Sequence, residues 1–172
     1  MRYMNYLYRI QLFVGAGFFR NFLGKTYNSM ESTIQKIINT LNELVPFHMK
    51  TPEDYAIAKG VVSVCIIDEN GQIYGKLWGE DKIRCRDSFK IAWTKANQVW
   101  ITGYKTNEYE KLVFADKVDH GKYGINMPDF IGWEGGQPVT LENGLKLSIG
   151  FSGFRGTTDL SIVTEAITKA GL

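Results

Sequence analysis

Residues 130–172 read FIGWEGGQPVTLENGLKLSIGFSGFRGTTDLSIVTEAITKAGL. Glu142-Asn143-Gly144 is a hairpin turn signal, because Asn-Gly supplies the positive φ values that a tight turn needs. Leu145–Ser152 predicts a strand, with Leu145, Leu147, Ile149 and Phe151 alternating with Lys146, Ser148, Gly150 and Ser152. A glycine-rich corner follows, Gly153-Phe154-Arg155-Gly156. Thr157 or Thr158 then suits the cap of a final helix, with Asp159 in its first turn. Leu160, Val163, Ala166, Ile167 and Ala170 share one face of that helix. The unit is strand, glycine corner, helix N-terminus. Such a corner exposes backbone N–H groups and suits an anion, although the same glycines serve turns and close packing equally well.

Upstream, Glu31–Leu44 predicts a helix with Ile34, Ile37, Ile38, Leu41 and Leu44 at helical spacing, ended by Val45-Pro46. Phe47–Gly60 is a connection, with a helical turn around Pro52–Ala56. Val61–Ile67 is a nearly continuous apolar run and so a central strand. Asp68–Gly71 turns the chain back into a partner strand, Gln72–Trp78. Asp87 or Ser88 opens a helix with a stripe of Phe89, Ala92, Trp93, Ala96, Val99 and Trp100, stopped by Gly103. Asn107 and Glu110 have capping-box spacing for a short helix to Phe114. The order helix, hairpin, helix, short helix, hairpin, helix indicates an α+β domain.

This order carries a resemblance. Gly150, Ser152, Gly153 and Asp159 match the end of the GlcG/HbpS family of haem-binding and haem-degrading domains, to which the C-terminal domain of PduO proteins is related. Gly135-Gly136 with Gln137-Pro138, the Asp68–Gly71 turn and the lysine-bearing helix with Lys95 extend the match over roughly residues 61–172. The resemblance implies a profilin-like fold, a five-stranded, mainly antiparallel sheet with helices packed on its faces. It also implies a homo-oligomer and a small-molecule ligand, haem or another tetrapyrrole, with its carboxylates toward the glycine corner. The long connection after the first helix departs from the family pattern.

At 172 residues one domain is expected. Residues 1–29 carry Arg2, Arg9, Arg20 and Lys25 and no acid. They read as an arm or leader outside a domain of residues 30–172. Leu12–Phe19 is too short for a membrane span. A cytoplasmic location is expected, with a mitochondrial one as the alternative that the basic, acid-free N-terminus suggests. A net charge of +2 without a clustered basic patch points to no nucleic acid. Cys65 and Cys85 make no disulfide framework and read as free thiols; Cys85 between Arg84 and Arg86 is also the setting of a reactive thiol.

The candidate ligand-binding residues are Gly135, Gly136, Gly150, Ser152, Gly153, Arg155, Lys95 and Trp133. Arg155 sits on the corner where a carboxylate would lie, and Trp133 is a loop aromatic beside glycines, suited to stacking on a flat ligand. Ser152 lacks a nucleophile elbow, since the residue two after it is Phe154. His48 and His120 are the only histidines, the commonest haem ligand, and His48 follows the first helix, near where haem-binding members carry theirs. No spacing signals a metal site. Two alternatives stand beside ligand binding: an enzyme acting on a small carboxylate or phosphorylated metabolite through Lys95, Glu134 and Arg155, and a non-catalytic homo-oligomeric assembly protein.

Overall fold

The computed structural model describes residues 30–172, so the expected arm over 1–29 lies outside the described part. The chain divides into two compact units, residues 1–36 and 37–172. Of the first, residues 30–36 are described and are helical.

α1 takes in residues 30–48 and passes through Pro46, where an end was expected. A proline removes one N–H donor, but in the last turn the helix has few bonds left to lose. Turn bonds from Met49 N to Val45 O and Thr51 N to His48 O, both at 3.0 Å, close the helix. α2 (Pro52–Ala58) starts on a proline and ends where Lys59 and Gly60 both take positive φ.

The sheet has four antiparallel strands in the order β2-β1-β4-β3: β1 (Val62–Asp68), β2 (Ile73–Trp78), β3 (Gly136–Thr140) and β4 (Lys146–Ser152). β1 is buried along its whole length, as its apolar run predicts. The five-strand expectation is corrected. Residues 115–135, between the last middle helix and β3, hold turns and a short 3-10 helix over His120–Tyr123 among the described residues, and no strand. Both hairpins form as expected. Gly71 at φ 80° closes the first, and Asp68 Oδ1 accepts from Asn70 N and Gln72 N. Gly144 at φ 84° closes the second.

α3 (Lys82–Thr102) lies on the sheet and begins five residues before the expected Asp87, because Asp81 caps it by accepting from Ile83 N and Arg84 N. Its buried stripe includes Cys85, Ala92, Lys95, Ala96 and Val99. Trp93 and Trp100 are instead exposed at the margins, with Trp100 Nε1 donating to Asp68 O at 3.1 Å over the first hairpin. The small residues Ala92 and Ala96 win the sheet-facing positions because α3 rides close to β4: a Cβ on Gly150 would overlap the Ala92 carbonyl and stand 2.6 Å from Ala96 N.

α4 (Thr106–Phe114) has no capping box; Asn107 Nδ2 instead donates to Glu134 Oε1 at 3.0 Å. α5 (Gly156–Lys169) starts ahead of the expected threonine caps and buries Ile162, Val163 and Ala166.

Candidate functional site

β4 ends at Ser152, the corner follows, and α5 opens at once. Gly153 takes φ 132°, and a Cβ there would stand 2.7 Å from Val61 O, so this turn is set by packing against β1. α3 crosses beneath and delivers Lys95. Its Nζ donates to Phe151 O at 2.8 Å and to Asp159 Oδ2 at 3.0 Å. Both residues of this pair are 2% exposed. Asp159 Oδ1 accepts from Phe154 N at 2.9 Å. Burial pushes the Asp159 carboxyl up to about 6, against the pull of Lys95 and of the corner N–H groups. Burial also lowers the Lys95 ammonium, and Asp159 opposes that shift.

Gly135 seals the pair from above. At φ 112°, it leaves no room for a Cβ, which would stand 2.7 Å from Lys95 Nζ and 2.6 Å from Phe151 O. The loop that carries it is anchored at several points. Gln98 exchanges two hydrogen bonds with Ile131, at 2.8 and 2.9 Å, and Thr106 Oγ1 donates to Trp133 O at 2.6 Å. This holds Trp133 and Glu134 beside the start of α5.

A second carboxylate reaches α5 from α2. Asp54, fully buried, accepts from Arg155 N at 3.3 Å, Arg155 Nε at 2.8 Å and Thr158 Oγ1 at 3.0 Å. Burial pulls its carboxyl up, and Arg155 and Thr158 together hold it below the usual range. The far end of α2 is tied down by Arg84 Nη2, which donates to Ile57 O at 3.3 Å and Ala58 O at 3.2 Å.

A cavity of about 410 Å³ opens between these elements. Lys95 and Asp159 reach its wall, Ser88 and Ser152 add hydroxyls, and Arg84, Asp87 and Glu134 add charge. Ile57, Ala58, Val61, Ile91, Trp133 and Phe154 supply apolar surface. A wider opening of about 670 Å³ shares Ile91 and Trp133 with it but is lined mainly by apolar groups such as Phe114, Met127 and Phe130, without a buried charge.

Of the residues singled out from sequence, Lys95, Trp133, Ser152 and Gly153 meet at the cavity, as do Arg84 and Glu134. Gly135, Gly136 and Gly150 stand behind it as close-packing positions against Lys95 and α3. Arg155 is not on the cavity wall; its guanidinium lies on Asp54. His48 is elsewhere too, with Nε2 3.4 Å from Glu165 Oε2. Sequence reasoning missed α2 as a wall, Asp54 as a cap for α5, and Asp87 and Ser88 as cavity residues. It placed Asp159 in the first turn of the last helix and in the family match, and not as the buried partner of Lys95. The signal was present: Asp159 is in phase with Ile162, Val163 and Ala166, and Lys95 with Ala92 and Val99, so each charge sits on a buried stripe.

A haem would need an axial ligand, usually His, Cys, Met or Tyr. Among the described residues none of these lines the cavity, and both histidines meet other partners: His48 meets Glu165, and His120 the Phe130 ring. The described lining residues do not fit an axially ligated haem.

No family model and no curated protein matches this chain. Solved structures do. The PduOC:heme complex aligns at 18% identity, covering 80% of this chain and 91% of that one, with a TM-score of 0.57. The Klebsiella pneumoniae protein ORFY, of family DUF336, aligns at 17% identity over 81% and 88%, with a TM-score of 0.55. HbpS aligns at 18% identity over 78% and 86%, with a TM-score of 0.50. The fold is GlcG/HbpS-like.

Proposed function

We propose that this chain is a small-molecule-binding domain whose ligand lodges in the cavity walled by α2, α3, Trp133-Glu134 and the start of α5. The observation that carries this reading is the buried Lys95–Asp159 pair on the wall of a cavity. A buried ion pair adds little to folding, since the desolvation of two charges offsets their attraction. Charged groups with shifted ionisation beside a concave, mostly apolar surface mark binding sites. The fold likeness supports it, because the PduOC structure of the same fold is a haem complex. For this chain the cavity's donor set favours an organic ligand without an axially held iron. No helix among the described residues is long and apolar enough to cross a membrane. Self-association is part of the reading, supported by the exposed Trp93, Trp100 and Trp133, and light scattering checks it.

The test is a thermal-shift screen of small organic molecules and of haem on wild type and on Ser88→Trp, which fills the cavity. The expected result is a compound that stabilises wild type and not the variant, with no sharp absorption band of ligated haem iron. Equal shifts for both proteins would overturn the site, and a ligated-haem spectrum would overturn the ligand class.

A further inference from the structure

We propose that the ligand of this cavity is a small organic ammonium compound, recognised by the Glu134 carboxylate and the Trp133 ring. The inference rests on the binding-site reading above and narrows it to one chemical class.

The seats for an anion at the start of α5 are already filled by the chain's own carboxylates. Phe154 N–H goes to Asp159, and Arg155 N–H and guanidinium go to Asp54. Lys95 Nζ is closed off by Phe151 O, Asp159 and the overlying Gly135. Arg84, the one lining cation outside an ion pair among the described residues, turns Nη2 to the carbonyls that end α2, while its buried Nε has no partner among the described residues. Of these donors an anion would find only Arg84 Nε open, and it would face the carboxylates of Asp87, Glu134 and Asp159.

The charges on the wall pair off in part. Arg84 and Lys95 are opposed on the wall by Asp87, Glu134 and Asp159, two positive groups against three negative. Lys95 and Asp159 cancel, and Asp87 Oδ1 is held by Arg86 at 2.9 Å. Glu134 is left. Its Oε1 accepts from Asn107, while Oε2 takes no hydrogen bond from any described residue and lies against Gly156, where a Cβ would stand 3.0 Å from it. A carboxylate oxygen with free lone pairs on a cavity wall calls for a donor.

Beside Glu134 stands an aromatic ring. Trp133 is 68% exposed although its backbone is anchored through Thr106, so the indole is held out at the cavity mouth. An aromatic face next to a carboxylate is the combination that attracts an ammonium group. The apolar side of the cavity, Ile57, Ile91 and Phe154, accommodates the rest of an organic cation.

Isothermal titration at millimolar concentration with benzyltrimethylammonium, benzylamine and benzoate tests the assignment, since the three share a ring and differ in charge. Both cations are expected to bind and benzoate is not. Glu134→Gln keeps the acceptor for Asn107 and removes the charge, and Trp133→Ala alters an exposed ring; each is expected to weaken the cations about tenfold. Benzoate binding as tightly as benzylamine, or cation affinity unchanged in Glu134→Gln, would overturn the proposal while leaving the cavity as a binding site. If neutral compounds alone stabilise wild type and lose that effect in Ser88→Trp, the charge assignment falls and the site stands. If no compound of any charge binds, both readings fall.

Discussion

Lys95 Nζ and Asp159 Oδ2 meet at 3.0 Å, joining α3 to the first turn of α5 under the backbone of Gly135. The same ammonium also holds the Phe151 carbonyl at the end of β4. One side chain thereby ties together α3, the end of β4 and the start of α5.

Removing one member of this pair leaves the other charge buried without its partner. Lys95→Met is therefore expected to cost about 3–5 kcal/mol. The double variant Lys95→Met with Asp159→Leu, which removes both charges, is expected to recover much of that loss. Urea denaturation of the two variants and wild type is the check. Equal losses in the single and double variants would show that the pair is not coupled.

Acidity acts on the pair in a definite direction. The Asp159 carboxyl titrates near 6 in the folded chain against an ordinary 3.8, so the folded state holds this proton more tightly than the unfolded state. Its contribution to stability is present below the ordinary value and is lost as pH rises through about 6. Wild type should therefore lose ground to Asp159→Asn between pH 4 and pH 7 in parallel denaturation series. A gap that stays constant across that window would contradict the shift.

Gly150→Ala is expected to be severe although it adds a single methyl group. That group would overlap the Ala92 carbonyl, which is helix backbone and has no rotamer to change. Overpacking of this kind costs about 1–3 kcal/mol or more. For a chain of this size that is a drop of several degrees in melting temperature, on the order of 2–4 °C per kcal/mol. Scanning calorimetry of the variant reads it directly, and an unchanged melting temperature would mean that α3 does not ride on β4 as closely as described.

Much of this architecture was legible in the sequence. The Asn143-Gly144 and Asp68–Gly71 turns, the apolar run of β1 and the periodicities of α3 and α5 are local signals, and each placed its element within a few residues. What was not legible depends on contacts across long separations. Asp54 caps α5 from 101 positions earlier in the chain, and nothing in the local sequence of either element announces it. Arg155 reads as an exposed cation for a ligand until Asp54 is seen beside it. The tryptophans of α3 suited a hydrophobic stripe by composition, but the close approach of helix and sheet at Gly150 admits only small side chains there. The fifth strand came from resemblance alone, with no alternating segment between α4 and β3 to support it.

Asp54 also makes a prediction about charge selectivity. Asp54→Ala leaves Arg155 and Thr158 without their acceptor, at a cost of about 1–3 kcal/mol. It also vacates the seat at the N-terminus of α5. Benzoate or sulfate should then stabilise the variant more than wild type in a thermal-shift assay, as a helix N-terminus with a free arginine attracts anions. A variant as indifferent to anions as wild type would show that Asp54 is not what fills that position.

The most direct measurement of the central claim is a map of where a small ligand binds. Backbone amide spectra of isotope-labelled protein, titrated with the strongest stabiliser from the thermal-shift screen, locate the contact residue by residue. The account predicts shifts concentrated at Ser88, Glu134, Ser152, Phe154 and Gly156, around the cavity that Lys95 and Asp159 reach. Shifts confined to the wider apolar opening at Phe114 and Met127, or no shifts at any ligand concentration, would contradict it.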